Sequence, residues 1–190
     1  MLTVDSGVVI EFSGSGLIVQ GALRAMGTAS QPITLTGTSD TPGAWIGVLG
    51  MSGATLALNY TTVADAGGTG GQGTAVWLYG SAATLDHATV TRSASDGVSA
   101  VNGGRLSVSD STLSNNAGDG ISLRGDSTGP VPIVSITGTR FVGNGLYGVE
   151  VANPDAAPAL DANTFSGNGG FNGIYFDGGT LTRQATWSSD

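Results

Sequence analysis

The chain has 190 residues, 33 of them glycine, with no cysteine, no lysine and 14 acidic side chains against six arginines. A net charge of −8 excludes a basic groove for nucleic acid or an anionic membrane, and the missing cysteines exclude disulfides and thiolate metal sites. Only 11% of residues are charged and mean hydropathy is slightly positive, so the chain carries enough apolar surface to offset its ordering entropy.

Alternation begins at the first residues, with Leu2-Thr3-Val4 and then Val8 to Phe12 reading as short strands. No basic, apolar leader and no run long enough to span a bilayer precedes them, so the segment is expected to belong to a larger protein and not to enter a membrane. Residues 1–44 read as opening coils, with Leu17, Val19, Leu23, Ile33 and Leu35 supplying the apolar positions. From 45 to 187 the pattern becomes regular. Strands are predicted at Gly47 to Gly50, Thr74 to Leu78, Gly97 to Val101, Gly120 to Leu123, Gly148 to Val151 and Gly173 to Phe176, most opened by glycine. Alternation assigns Val48, Ala75, Val98, Ile121, Val149 and Ile174 to the interior, together with Trp77 and Leu123. Leu49, Val76, Ser99, Ser122, Glu150 and Tyr175 then face outward.

Apolar residues recur at one slot every 22 to 28 residues: Val63, Val90, Leu113, Phe141, Phe165 and Trp187. Five residues earlier runs a second column of Leu58, Leu85, Val108, Ile136 and Leu160, broken by Thr182. Three residues later stand Asn116, Asn144 and Asn168, with Asp190 in the last unit. Such periods mark a stack in which each turn buries its apolar side chains against its neighbours, and stacked amides can bond along the axis as a ladder that turns the corner between sheets. The fold class read from this is all-β, a single-stranded parallel β-helix of about seven coils with Asn-ladder turns, in one domain from 1 to 190. Excursions at about 37–44, 64–73, 125–132 and 153–158 are rich in Gly, Pro, Ser, Thr or Asp and read as outer loops, where function concentrates.

The opening Leu2 to Phe12, Val19 to Thr28 and Gln31 to Thr36, leading to Trp45-Ile46-Gly47-Val48, resembles the right-handed parallel β-helix superfamily, the pectate-lyase-like fold, as it recurs in bacterial secreted and surface proteins. The resemblance covers essentially the whole chain and implies three parallel sheets per coil, an extracellular or cell-surface setting and, frequently, carbohydrate-related work. Its motif consists of packing and turn residues, so it speaks to fold before function.

Enzymes of that superfamily use clustered carboxylates on an outward sheet. The candidates here are Arg124, Glu150, Tyr175 and Asp177, and coils spaced about 4.8 Å apart would let the first three meet. The neighbouring outward slots hold serine and apolar residues, which favours a solvated, salt-bridging face over a catalytic centre. His87 is the single histidine, so multi-histidine metal sites are excluded and neither a metal nor a cofactor is expected. The Gly68 to Gly73 segment matches a dinucleotide-binding glycine pattern literally, yet a strand follows it where that chemistry needs a helix. Leu49, Met51, Val76, Leu78 and Val101 form an expected outward apolar patch, suited to a covering loop from 64 to 73, a neighbouring domain or another partner. A threonine row, Thr62, Thr89, Thr112, Thr164 and Thr186, interrupted by Arg140, raises ice binding as an outside alternative.

The leading functional reading is therefore a non-catalytic extracellular module: a rigid scaffold, an adhesin segment or a glycan-binding surface, with polysaccharide or a neighbouring domain as partner. The alternative is a polysaccharide lyase or glycoside hydrolase. Unpaired strand edges at either end of the stack would also permit end-to-end self-association.

Overall fold

The computed structural model describes residues 1–70, 72–124, 130–182 and 184. Trp187, Thr186 and Asp190, the last members of three sequence columns, lie outside the described residues, as do Gly71 and residues 125–129. Among the described residues there is no α-helix; one short 3-10 turn covers Pro154–Ala156.

The chain visits three parallel sheets in a fixed cycle. Sheet A contains Leu2–Val4, Ala22–Met26, Thr55–Asn59, Ala82–Asp86, Arg105–Ser109, Ile133–Thr137 and Ala159–Asp161. Sheet B contains Val9–Phe12, Ile33–Gly37, Thr61–Ala64, Thr89–Thr91, Thr112–Ser114, Arg140–Val142 and Thr164–Ser166. Sheet C contains Gly16–Val19, Gly47–Gly50, Val76–Tyr79, Val98–Val101, Ile121–Leu123, Tyr147–Val151 and Phe171–Phe176. Each inner strand pairs with its counterparts one coil earlier and one coil later, so among the described residues seven strands stack in every sheet and span about six turns. The opening residues 1–44 join the same sheets.

The two apolar columns are the interior of this stack. Leu58, Leu85, Val108, Ile136 and Leu160 are successive Cα partners in sheet A. Val63, Val90, Leu113, Phe141 and Phe165 do the same in sheet B. All but the last residue of each column are at most 1% exposed, and the rings of Phe141 and Phe165 stack at 5.0 Å. Period-2 alternation thus places one residue of each pair inside and the next in solvent.

Both corners that flank sheet B are made in a similar way, by one residue of positive φ followed in most coils by a hydrogen-bonding side chain, with Ala66 and Ala88 as exceptions. At the A to B corner the first position is Tyr60, His87, Asp110, Gly138 and Ala162. At the B to C corner it is Asp65, Arg92, Asn115, Gly143 and Gly167. The left-handed conformation costs a side-chain-bearing residue about 1 kcal/mol or more, so these positions persist only because the neighbouring coils hold them.

The predicted asparagine ladder occupies the second position of the B to C corner. The Asn144 Oδ1 accepts from both the backbone N–H and the side-chain amide of Asn116, at 3.2 and 3.0 Å. Its Nδ2 donates to the Leu113 carbonyl and to Asn168 Oδ1, at 3.1 and 3.0 Å. Asn168 continues the series onto Asn172, and Ser93 begins it by donating its N–H to Asn116. At the A to B corner Thr61, Ser111, Thr139 and Asn163 perform the equivalent task, which the sequence reading did not anticipate.

Glycine at the entrance of sheet C has a steric cause. A Cβ on Gly148 would lie 2.3 Å from Phe165 Cδ1, and one on Gly120 would lie 2.6 Å from Phe141 Cδ1. The aromatic column therefore forbids a side chain opposite it. Trp45 precedes Gly47–Gly50 in the B to C corner, wholly buried, with Nε1 donating to the Ala64 carbonyl and its ring stacked on Phe12 at 4.3 Å.

The links between sheets differ in their tolerance. Every A to B link after Thr55–Asn59 is one tight corner, whereas the B to C link runs from Ala64 to Val76 in one coil but only from Ser114 to Ile121 in another. The C to A link similarly runs from Tyr79 to Ala82 or from Leu123 to Ile133. All four glycine- and proline-rich excursions thus border sheet C.

Replacing Asn144 with Ala is expected to lower unfolding free energy by about 2–4 kcal/mol, because it leaves buried donors and acceptors of two neighbouring coils without partners. Asn144→Asp should be at least as damaging at pH 8 and should recover on acidification, since a carboxylate oxygen would face the Leu113 carbonyl and a carboxyl proton would relieve it. Urea denaturation at pH 5 and pH 8 measures both.

Candidate functional site

Sheet C presents the outward face with the most chemistry. Its pairing makes Leu49, Trp77 and Ser99 one outward row, continued by Ser122, Glu150 and Tyr175. Val101 pairs with Tyr79 in a second row, with Met51, Arg124 and Asp177 at the flanking positions.

This register corrects the expected apolar patch. Val76 and Leu78 are wholly buried, paired with Val98 and Ala100, while Trp77 and Tyr79 face outward in their place. The reason is a one-residue offset in the strand that follows the long 64–73 excursion: Val76, not Ala75, is level with Val98, and a slip of one flips every side chain. Leu49, Met51 and Val101 are partly exposed on the outward side as expected. The 64–73 segment is tied elsewhere, by Gly67 N–H to the Ile46 carbonyl and Gly68 N–H to the Trp45 carbonyl in the B to C corner.

Arg124 and Glu150 do meet. Arg124 Nε lies 3.4 Å from Glu150 Oε2 and 2.9 Å from Ser122 Oγ, and Ser122 donates to Glu150 Oε2 at 2.7 Å. Arg124 also reaches Asp96 Oδ2 at 3.5 Å. Tyr175 is the Cα partner of Glu150 but turns its ring onto Tyr147, stacked at 4.1 Å, and the neighbouring Tyr147 raises its phenol. Asp177 is exposed, one position beyond the sheet.

Two acids missed in the sequence complete the floor. Asp96 and Asp119 immediately precede the glycines that open two strands of sheet C, and both are buried. Each acts as a rung between coils: Asp96 Oδ1 accepts the Asp119 N–H at 3.0 Å, and Asp119 Oδ1 accepts the Tyr147 N–H at 2.9 Å. Burial raises the carboxyl of Asp96, and burial together with the charges of Asp96 and Glu150 pushes Asp119 up to about 7, against the lowering effect of the Tyr147 N–H. The shared slot before glycine was the signal available in the sequence.

The face therefore has aromatic ends and a polar middle. Trp77 and Tyr79, 5.4 Å apart, stand at one end, and the Tyr147–Tyr175 stack at the other. Four strand spacings separate Trp77 from Tyr175, about 19 Å along the axis.

Other expected features sit apart from it. Asp86, His87 and Asp110 bring ligand atoms within 4.8 Å of one another at the A to B corner. Asp86 is already engaged there by Asn59, Ser109 and His87, and His87 and Asp110 occupy the left-handed corner positions. The threonine row lies on sheet B, one Cα partner after another, beside a second row of Thr36, Thr91, Ser114 and Ser166 that Ala64 and Val142 interrupt.

The family described as a right handed beta helix region matches residues 39–185, well over half of the chain. The protein thus belongs to the right-handed β-helix family, which fixes the hand of the coil. No curated protein and no solved structure matches it.

Because Asp119 holds its proton more tightly folded than unfolded, its contribution to stability is full below the unfolded carboxyl value near 4 and is lost as pH rises through about 7. Asp119→Asn keeps the acceptor for the Tyr147 N–H and removes the charge. The variant is expected to be more stable than the parent at pH 8 and to show a smaller fall in melting temperature between pH 5 and pH 8, measured by differential scanning calorimetry.

Proposed function

We propose that the protein is a non-catalytic β-helix scaffold whose sheet C face binds a linear glycan lying along the coil axis. The observation that carries this reading is the disposition of Trp77 and Tyr79 at one end and Tyr147 and Tyr175 at the other, with Arg124 and Glu150 between them over the buried Ser122. Aromatic faces match the C–H faces of sugar rings, and fixed charged donors and acceptors match hydroxyls, the combination that orients a polyhydroxylated ligand. A span of about 19 Å accommodates roughly four hexose units on strand spacings of 4.8 Å. An extracellular or cell-surface setting, as scaffold or adhesin segment, accords with such a ligand.

A second reading, hydrolysis or lyase chemistry on the same face, is favoured by one observation: a carboxyl raised to about 7 at Asp119 stands beside Glu150, the kind of divergence that separates a general acid from its partner. Against it, Asp119 is wholly buried and serves as a rung between coils.

Isothermal titration calorimetry with tetra- to hexasaccharides of neutral, amino and uronate type is the test. Trp77→Ala and Tyr175→Ala should each weaken binding by about tenfold, about 1.4 kcal/mol. Unchanged affinity in both would remove the aromatic ends from the site. Release of reducing or unsaturated ends by the parent protein, abolished in Glu150→Gln, would instead establish the catalytic reading.

A further inference from the structure

Asp119 is wholly buried, and its two oxygens are treated unequally. Oδ1 accepts the Tyr147 N–H, whereas Oδ2 is buried without a hydrogen-bond partner among the described residues. Asp96 approaches from the preceding coil and Glu150 from the following one, and the acidic pair shares a single cation, Arg124, which lies 3.5 Å from Asp96 and 3.4 Å from Glu150. Three carboxylates and one guanidinium leave the middle member of the series uncompensated when all are ionised. A buried carboxylate without a donor is costly, and a proton on Oδ2 removes the charge and supplies a donor at once. Glu150 is the one acid of the three with appreciable exposure, 16% of its side chain, so it is the group able to move into water.

We propose that Asp119 is a proton-operated latch for the sheet C face: protonated, it lets Glu150 lie against Ser122 and Arg124, and on losing its proton it drives the Glu150 carboxylate outward and leaves Arg124 on Asp96 alone. The middle of the face then gains one negative charge near neutral pH, so its affinity for a charged saccharide changes with acidification. This regulation rests on the glycan-binding reading for its purpose, but the latch itself is a property of four side chains.

Carbon-detected NMR of the side-chain carboxyls, titrated from pH 4 to pH 9 on the whole protein, tests it. The expected result is an Asp119 carboxyl that titrates near 7, with the Glu150 carboxyl and the Arg124 Nε–H resonances shifting at the same midpoint. Asp119→Asn should abolish the coupled shift at Arg124. Glu150→Gln, which keeps a partner of the same shape, should lower the Asp119 midpoint by about one pH unit or more, so the latch stays testable if the asparagine variant does not fold. An Asp119 carboxyl that does not titrate between pH 6 and pH 8 (the window expected around a value of about 7), or Glu150 and Arg124 signals that ignore it, overturns the latch. The glycan reading fails separately: the coupled titration present while no saccharide binds at any pH supports the latch and removes its proposed ligand.

Discussion

One peptide N–H at each bend between two sheets has no strand partner, and in most coils of this molecule it is satisfied by a side chain of a neighbouring coil, the following one at the asparagine corner and the preceding one at the entrance to sheet C. Asn116, Asn144 and Asn168 receive these donors at one corner, Ser111 and Asn163 at another, and Asp96 and Asp119 at the entrance to sheet C. Everything else follows from this dependence. Coils must keep the same register for the rungs to meet, and a common register superposes the apolar columns and rings. The left-handed residues at the corners are tolerated because a completed rung pins each of them on its far side.

The parts of this arrangement that repeat were legible in the amino-acid order, because repetition is what stacking demands. The columns headed by Leu58 and Val63, the Asn116–Asn168 series and the outward placing of Ser122, Glu150 and Tyr175 were all readable as slots. What escaped were features set by local departures from the repeat. The strand Val76–Tyr79 follows the longest B to C link, and nothing within its own alternation distinguishes Ala75 from Val76 as the inward residue; both are buried, and only hydrogen bonding to Val98–Val101 settles the phase. Asp96 and Asp119 form a series of only two, in the slot before a strand-opening glycine, so their signal is weaker than that of the three asparagines. The meeting of Arg124 with Asp96 spans two coils diagonally and has no periodic signature.

The acids on sheet C show how one residue type serves two ends. As rungs, Asp96 and Asp119 bind N–H groups exactly as asparagine does elsewhere, but asparagine would bring no charge. The negative charge of Asp96 draws Arg124 across Ser122, with more than half of the Arg124 side chain still turned to solvent. Structural bonding and surface chemistry therefore meet in the same side chains: the acids that close N–H groups between coils also set the charge of the face.

The unequal links between sheets separate two kinds of change. From Thr55–Asn59 onward the A to B bend keeps a constant length and acts as a spine, so additions there would shift every rung above them. Beside sheet C the chain lengthens and shortens by several residues with no effect on the stack. Such a molecule can have the rim of its C face rewritten by insertion and deletion while its backbone plan is inherited intact, so variety in what it contacts need not be gained at the expense of its ability to fold.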